Sequence, residues 1–140
     1  MSGRAFVDTN VLIYAHDVDT GQKHEIARER AARAMVRAGR RLKHASAARV
    51  LRERYAKNCY TVAEVTARTI VESYRIWCMQ TTTEEIATAF RIEDEAHLGF
   101  WDALVVAAAS KSGAVRLISE DLNPGQTILG VRVENPFAAG

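Results

Sequence analysis

Ala5-Phe6-Val7-Asp8-Thr9-Asn10-Val11-Leu12 sets three apolar residues against a carboxylate and two hydrogen-bonding side chains before apolar character resumes. The pattern reads as a short buried strand that stops at Asp8 and passes into a brief helix over Val11–Ala15. It recurs near the other end of the chain, where Val115–Ile118 forms a strand that stops at Ser119-Glu120-Asp121. Between the two, Phe100-Trp101-Asp102 starts a helical run that is apolar almost throughout to Ala109. In open α/β sheets, ligand sites form outside the carboxyl ends of the strands, where residues distant in sequence converge. Asp8, Asp102 and Asp121, with Glu53 as a fourth member, are therefore expected to form one acidic cluster that binds a divalent cation. The expected chemistry is phosphodiester hydrolysis.

Working outward, apolar runs alternate with helical ones. Ile26, Ala27, Ala31, Ala34, Met35 and Ala38 recur at three- and four-residue steps, one stripe of a helix that begins near Lys23 and ends at Gly39. Leu42–Ala45 and Ile76–Met79 are further strand candidates, and Ala47–Asn58 reads as a helix. Thr61-Val62-Ala63-Glu64 and Thr82-Thr83-Glu84-Glu85 both match the capping box, in which a hydroxyl and a carboxylate satisfy each other's backbone amides at a helix start. The first should open a helix to about Arg75, the second a helix closed by His97 and Gly99. Asn123-Pro124-Gly125 is a turn, after which Thr127–Leu129 and Val131–Val133 supply a last edge strand. Strands separated by helices imply a parallel sheet covered on both faces. The expected fold is α/β, a three-layer α/β/α sandwich with a mostly parallel central sheet, over one domain spanning residues 1–140.

Composition agrees with that size. Of 140 residues, 48% are hydrophobic, enough for one sizeable core. No stretch approaches the roughly 18 apolar residues that span a bilayer, and Asp8 and Asn10 interrupt the only early apolar segment. A soluble, cytoplasmic protein with no membrane partner is expected. Cys59 and Cys78 have neither Cys-x-x-Cys nor Cys/His spacing and read as reduced structural thiols. The net charge of +2 conceals an asymmetry: twelve Lys/Arg against three acids between Lys23 and Lys57 give that segment +9 and leave −7 elsewhere. A basic segment beside an acidic remainder suits a polyanion-binding surface around a metal-binding pocket. A solvated helix face explains the run equally well.

Each acid also has an ordinary explanation. Asp8 can cap the helix that follows it. Asp102 is favoured by the dipole at a helix start, although the large apolar surfaces of Phe100 and Trp101 beside it suggest a dry wall that would strengthen its hold on a cation. Asp121 lies in a polar loop, and Glu53, between Arg52 and Arg54, suits an exposed helix face. Together, however, they place three aspartates just past three structural boundaries of one sheet. Clustered carboxylates stay ionised most simply by sharing a cation, and an oxygen-only set without Cys or His suits Mg²⁺ or Mn²⁺ better than zinc.

Phe6-Val7-Asp8-Thr9-Asn10-Val11-Leu12, Val50-Leu51-Arg52-Glu53, Phe100-Trp101-Asp102-Ala103-Leu104 and Leu117-Ile118-Ser119-Glu120-Asp121-Leu122, in that order, resemble the PIN-domain nucleases, and most closely the VapC-type toxins of bacterial toxin–antitoxin pairs. The resemblance extends through Gly130–Phe137. It implies a PIN-like fold and a Mg²⁺-dependent endoribonuclease, with Asp8 and Asp102 as the principal metal ligands and Glu53 and Asp121 completing the catalytic set. It further implies support from Thr9, Asn10 and Ser119 by hydrogen bonds, an RNA substrate, a cognate antitoxin protein as partner, and a homodimer. One segment departs from the pattern: Ala47-Ala48-Arg49 replace a Ser-x-Gln ahead of Glu53, and Arg54 replaces an aromatic after it.

Two other readings compete. A phosphatase that uses a strand-end aspartate as nucleophile requires a second Asp two residues later, where this chain has Asn10. The altered segment around Glu53 also admits a catalytically impaired nucleic-acid-binding or regulatory module.

Overall fold

Strand β1 (Arg4–Val7) pairs in parallel with β2 (Ala114–Ile118), and β2 pairs in parallel with β4 (Val131–Glu134). A short strand, β3 (Thr127–Ile128), closes the outer side antiparallel to β4, so the sheet order is β1-β2-β4-β3. This computed structural model describes residues 4–16, 21–36, 69, 72 and 81–138. Four helices are complete among them: α1 (Thr9–His16), α2 (Gln22–Val36), α3 (Thr83–Ala96) and α4 (Phe100–Lys111).

The sheet is covered on both faces because successive side chains alternate. Phe6, Leu117, Val131 and Val133 share one buried cluster with Ala103, Leu104 and Val106 of α4, and α3 packs over α4. Ala5 and Val7, also buried, point the other way, where α2 packs on β1 and α1 packs on α2. Each large side chain buried in this way contributes about 1.5–3 kcal/mol. The expected α/β architecture with a mostly parallel sheet is what these elements form.

Most expected boundaries move by only a residue or two. The Glu85 carboxylate reaches back to the Thr82 amide and hydroxyl, the latter at 2.7 Å, and α3 ends where His97 turns left-handed at φ 55°. The last strand differs more. Leu129 and Gly130 both have positive φ, 48° and 77°, which makes a tight hairpin of what reads as one edge segment. The 131–133 segment therefore lies inside the sheet, between β2 and β3. The expected strands at 42–45 and 76–79, the helix at 47–58, Glu53, Cys59 and Cys78 lie outside the described residues. Within the helix expected from Thr61 to Arg75, Thr69 and Glu72 are described and both are helical.

Candidate active site

The ends of three parallel strands are level. Val7 pairs with Ile118 and Ile118 with Glu134, and the ladder continues one step further. The Asp8 amide donates to the Ile118 carbonyl at 2.9 Å and the Ser119 amide to the Glu134 carbonyl at 3.0 Å. Asp8 and Ser119, 111 residues apart, are thereby set side by side at the carboxyl edge of the sheet.

At that edge the Ser119 hydroxyl donates to Asp8 Oδ2 at 2.7 Å, and the same oxygen accepts the Asp121 amide at 3.2 Å. Asn10, the second residue of α1, donates through Nδ2 to Asp121 Oδ2 at 2.8 Å. Asp8 and Asp121 are thus joined twice, through Ser119 and through the start of α1. Asp8 is 8% exposed and Ser119 fully buried, whereas Asp121 is exposed, so the arrangement runs from the sheet interior to its surface. Asp8 also stands at the N-cap position of α1, its carbonyl accepting the Val11 and Leu12 amides. Capping and membership of the acidic group therefore coexist in one residue.

Asp102 reaches the same edge by a different route. Helix α4 packs on β2 and joins it through Ser112 and Gly113 alone, so the two run antiparallel. Twelve helical residues span about 18 Å and five strand residues about 16 Å, which sets the first turn of α4 level with Ser119. Asp102, half-buried, lies in that turn, where the helix dipole favours its charge. The expected dry wall is only half present. Phe100 turns inward against Phe90, with ring centroids 5.6 Å apart, but Trp101 is 73% exposed. The Trp101 ring meets that of Phe100 edge-on, with centroids 5.2 Å apart, from the solvent side.

A second group of residues braces the edge and is invisible in the local sequence. The Tyr14 hydroxyl donates to Glu120 Oε1 at 2.6 Å, and Lys23 Nζ donates to Glu120 Oε2 at 3.0 Å. The lysine lies 4.9 Å from the centre of the Tyr14 ring and 5.3 Å from that of Phe137. Burial works to raise the Glu120 carboxyl, but the bonds from Tyr14 and Lys23 outweigh it and the carboxyl is held below its ordinary range. The charge of Asp8 pushes the other way, so the two acids sense each other. Tyr14, in turn, is raised, first by its bond to Glu120 and then by burial. Lys23 compensates Glu120.

Among the described residues, no three His, Cys, Asp or Glu side chains stand close enough to enclose a metal ion. The donor chemistry nevertheless fits a small hard cation. Mg²⁺ keeps several waters and takes one or two carboxylates directly, and the oxygens at this edge come from Asp8 and Asp121, with Asp102 level with them. The hydrogen bonds from Ser119 and Asn10 are of the kind that hold liganding carboxylates in position.

Among the described residues, no helix is long and apolar enough to cross a membrane. No curated protein matches the chain. A family model described as PIN domain matches residues 5–126, from the second residue of β1 to the residue before β3. Proteins with this domain are generally nucleases that use divalent metal ions on nucleic acid. A match over most of the chain, on a mostly parallel sheet with carboxylates at its strand ends, makes this protein a member of the PIN domain family.

Proposed function

We propose that the chain is a Mg²⁺-dependent endoribonuclease and the toxin of a toxin–antitoxin pair, with Mn²⁺ able to replace Mg²⁺. The observation that carries the reading is the pairing of Asp8 with Asp121 through Ser119 and Asn10 at the carboxyl edge of β1 and β2. In this proposal Asp8 and Asp102 hold the cation, and Asp121 and Glu53 complete the catalytic set through water. When bound, the ion supplies an acidified water and a counter-charge for the phosphoryl oxygens. The chain's own residues do the rest. Ser119 fixes the rotamer of Asp8 and Asn10 fixes that of Asp121. The Lys23–Glu120–Tyr14 group holds the loop after β2 against α1, so that Asp121 keeps its distance from Asp8. Further parts of the proposal are a single domain, a homodimer, an antitoxin partner and a cytoplasmic location.

Asp8→Asn is the test. The substitution keeps the shape of the side chain and removes the charge that would hold the cation. Cleavage of single-stranded RNA in Mg²⁺ should fall by at least 10²-fold, while RNA binding persists. A variant that still cleaves at the wild-type rate refutes the assignment of Asp8.

A further inference from the structure

A cleft of about 560 Å³ opens beside the acidic edge, lined by Arg30 of α2, Arg116 of β2 and Arg132 of β4, together with Pro124, Glu134 and Asn135. Arg116 and Arg132 are register partners on adjacent strands, which places two like charges side by side. Glu134 is the only acid among the described residues that line the cleft. It accepts from Arg30 at 2.6 Å and lies 3.9 Å from Arg116. Arg132 is exposed and has no ion-pair partner among the described residues. Arg30 and Arg116 both face Glu134, and Arg132 stands beside Arg116 with no carboxylate paired to it among the described residues, so a bound anion would relieve the like charges.

The position of the cleft identifies the anion. Its inner end is Glu134, whose carbonyl accepts the Ser119 amide, so it begins two strands away from Asp8, about 10 Å across β2. Arg132 lies two residues back along β4, about 7 Å from that end. A polynucleotide with one phosphate at Asp8 and Asp121 has its neighbouring phosphates within reach of these arginines. Guanidinium groups bind phosphate through paired N–H donors, which suits a phosphodiester better than an isolated peptide carboxylate at this spacing.

We infer that this cleft is a subsite for the backbone of single-stranded RNA flanking the cut, with Arg132 contacting a phosphate while Glu134 holds Arg30 and Arg116 in place behind it. The inference rests on the nuclease reading above and adds where the substrate runs.

The test uses full-length protein carrying Asp8→Asn, so that bound RNA stays intact, and a fluorescein-labelled single strand of about 12 nucleotides read by anisotropy. Adding Arg132→Gln should weaken binding about tenfold and reduce the salt slope of log Kd by about 0.7, as expected for one lost phosphate contact on a single strand. Arg132→Lys should restore the salt slope and part of the affinity. Arg91→Gln, which removes an exposed arginine from α3, should leave binding unchanged. Equal losses from Arg91→Gln and Arg132→Gln at matched melting temperatures would reduce the effect to net charge and overturn the subsite. RNA binding indifferent to Arg132, with binding of labelled poly-glutamate that depends on it, would also overturn it and assign the cleft to an acidic peptide. Failure of the nuclease reading shows separately, as wild-type protein that cleaves neither RNA nor bis(p-nitrophenyl) phosphate in Mg²⁺ or Mn²⁺. The binding comparison remains informative in that case.

Discussion

Ser119 is the smallest side chain in the acidic edge and joins its two aspartates, since one oxygen donates to Asp8 and accepts from the Asp121 amide. Ser119→Ala should weaken Mn²⁺ binding by about 10–100-fold without changing which residues hold the ion, and isothermal titration of the metal-free protein would measure it. Unchanged affinity would mean that Asp8 needs no help to keep its orientation. Among individual residues, the position of Asp8 was legible because its strand end is legible: an apolar triplet followed by a carboxylate marks the boundary. Tyr14, Lys23 and Glu120 were not. Tyr14 sits in an apolar stripe and Lys23 in a basic run, and their bonds to Glu120 join residues about a hundred positions apart. Trp101 was misjudged for a related reason. Adjacency to Asp102 in sequence suggested a shared dry site, whereas the Trp101 ring lies 73% exposed, against only one side of Phe100.

At the scale of elements, Glu85 carries a pH dependence. Its carboxylate is 2% exposed, accepts from Thr82 and pairs with Lys111 at 2.7 Å. Burial alone would raise its pKa, but the bonds from Lys111 and Thr82 prevail and it lies below the ordinary carboxylate value. A carboxyl lowered by folding adds stability that is fully present above its unfolded pKa and disappears as pH falls through the folded one. Melting temperature should therefore fall on acidification from about pH 5 more steeply in wild type than in Glu85→Gln. The substitution itself should cost about 1 kcal/mol near neutrality, as loss of a helix cap does. Parallel curves would remove Glu85 from the acid response. The capping box that reveals this helix start is a local signal and was readable. The β3–β4 hairpin was not, because its turn is Leu129-Gly130 rather than the Asn-Gly that announces a two-residue turn, and Leu129 reads as strand. Alternation of Val131, Arg132 and Val133 shows which face is buried, but nothing local says whether a neighbour lies on each side.

For the molecule as a whole, the alternation of strands and helices was enough to name the α/β class, and the order of four acidic segments was enough to suggest the family. The charge asymmetry was harder to interpret. Of the four cations of the basic run described here, Lys23, Arg30 and Arg33 are paired with Glu120, Glu134 and Glu29. Composition counts charges without showing how many are compensated, so the run overstates the free positive surface. Under the toxin proposal, inducing the wild-type chain alone should arrest growth within a few generations, and the Asp8→Asn chain should not. Growth curves with matched expression would decide it, and unimpeded growth with the wild type would leave a nuclease that is not a toxin.

The pairing of β1 with β2 also fixes when the acidic edge can assemble. Residues 4–7 leave the ribosome first, and their partners at 114–118 follow more than a hundred residues later. Until that late closure, Asp8 has neither Ser119 nor Asp121 beside it. Under the toxin proposal, a chain whose residues 114–121 are not yet made therefore lacks the assembled edge and spares the ribosome and message that are making it. Under the same proposal, that delay gives an antitoxin time to be waiting.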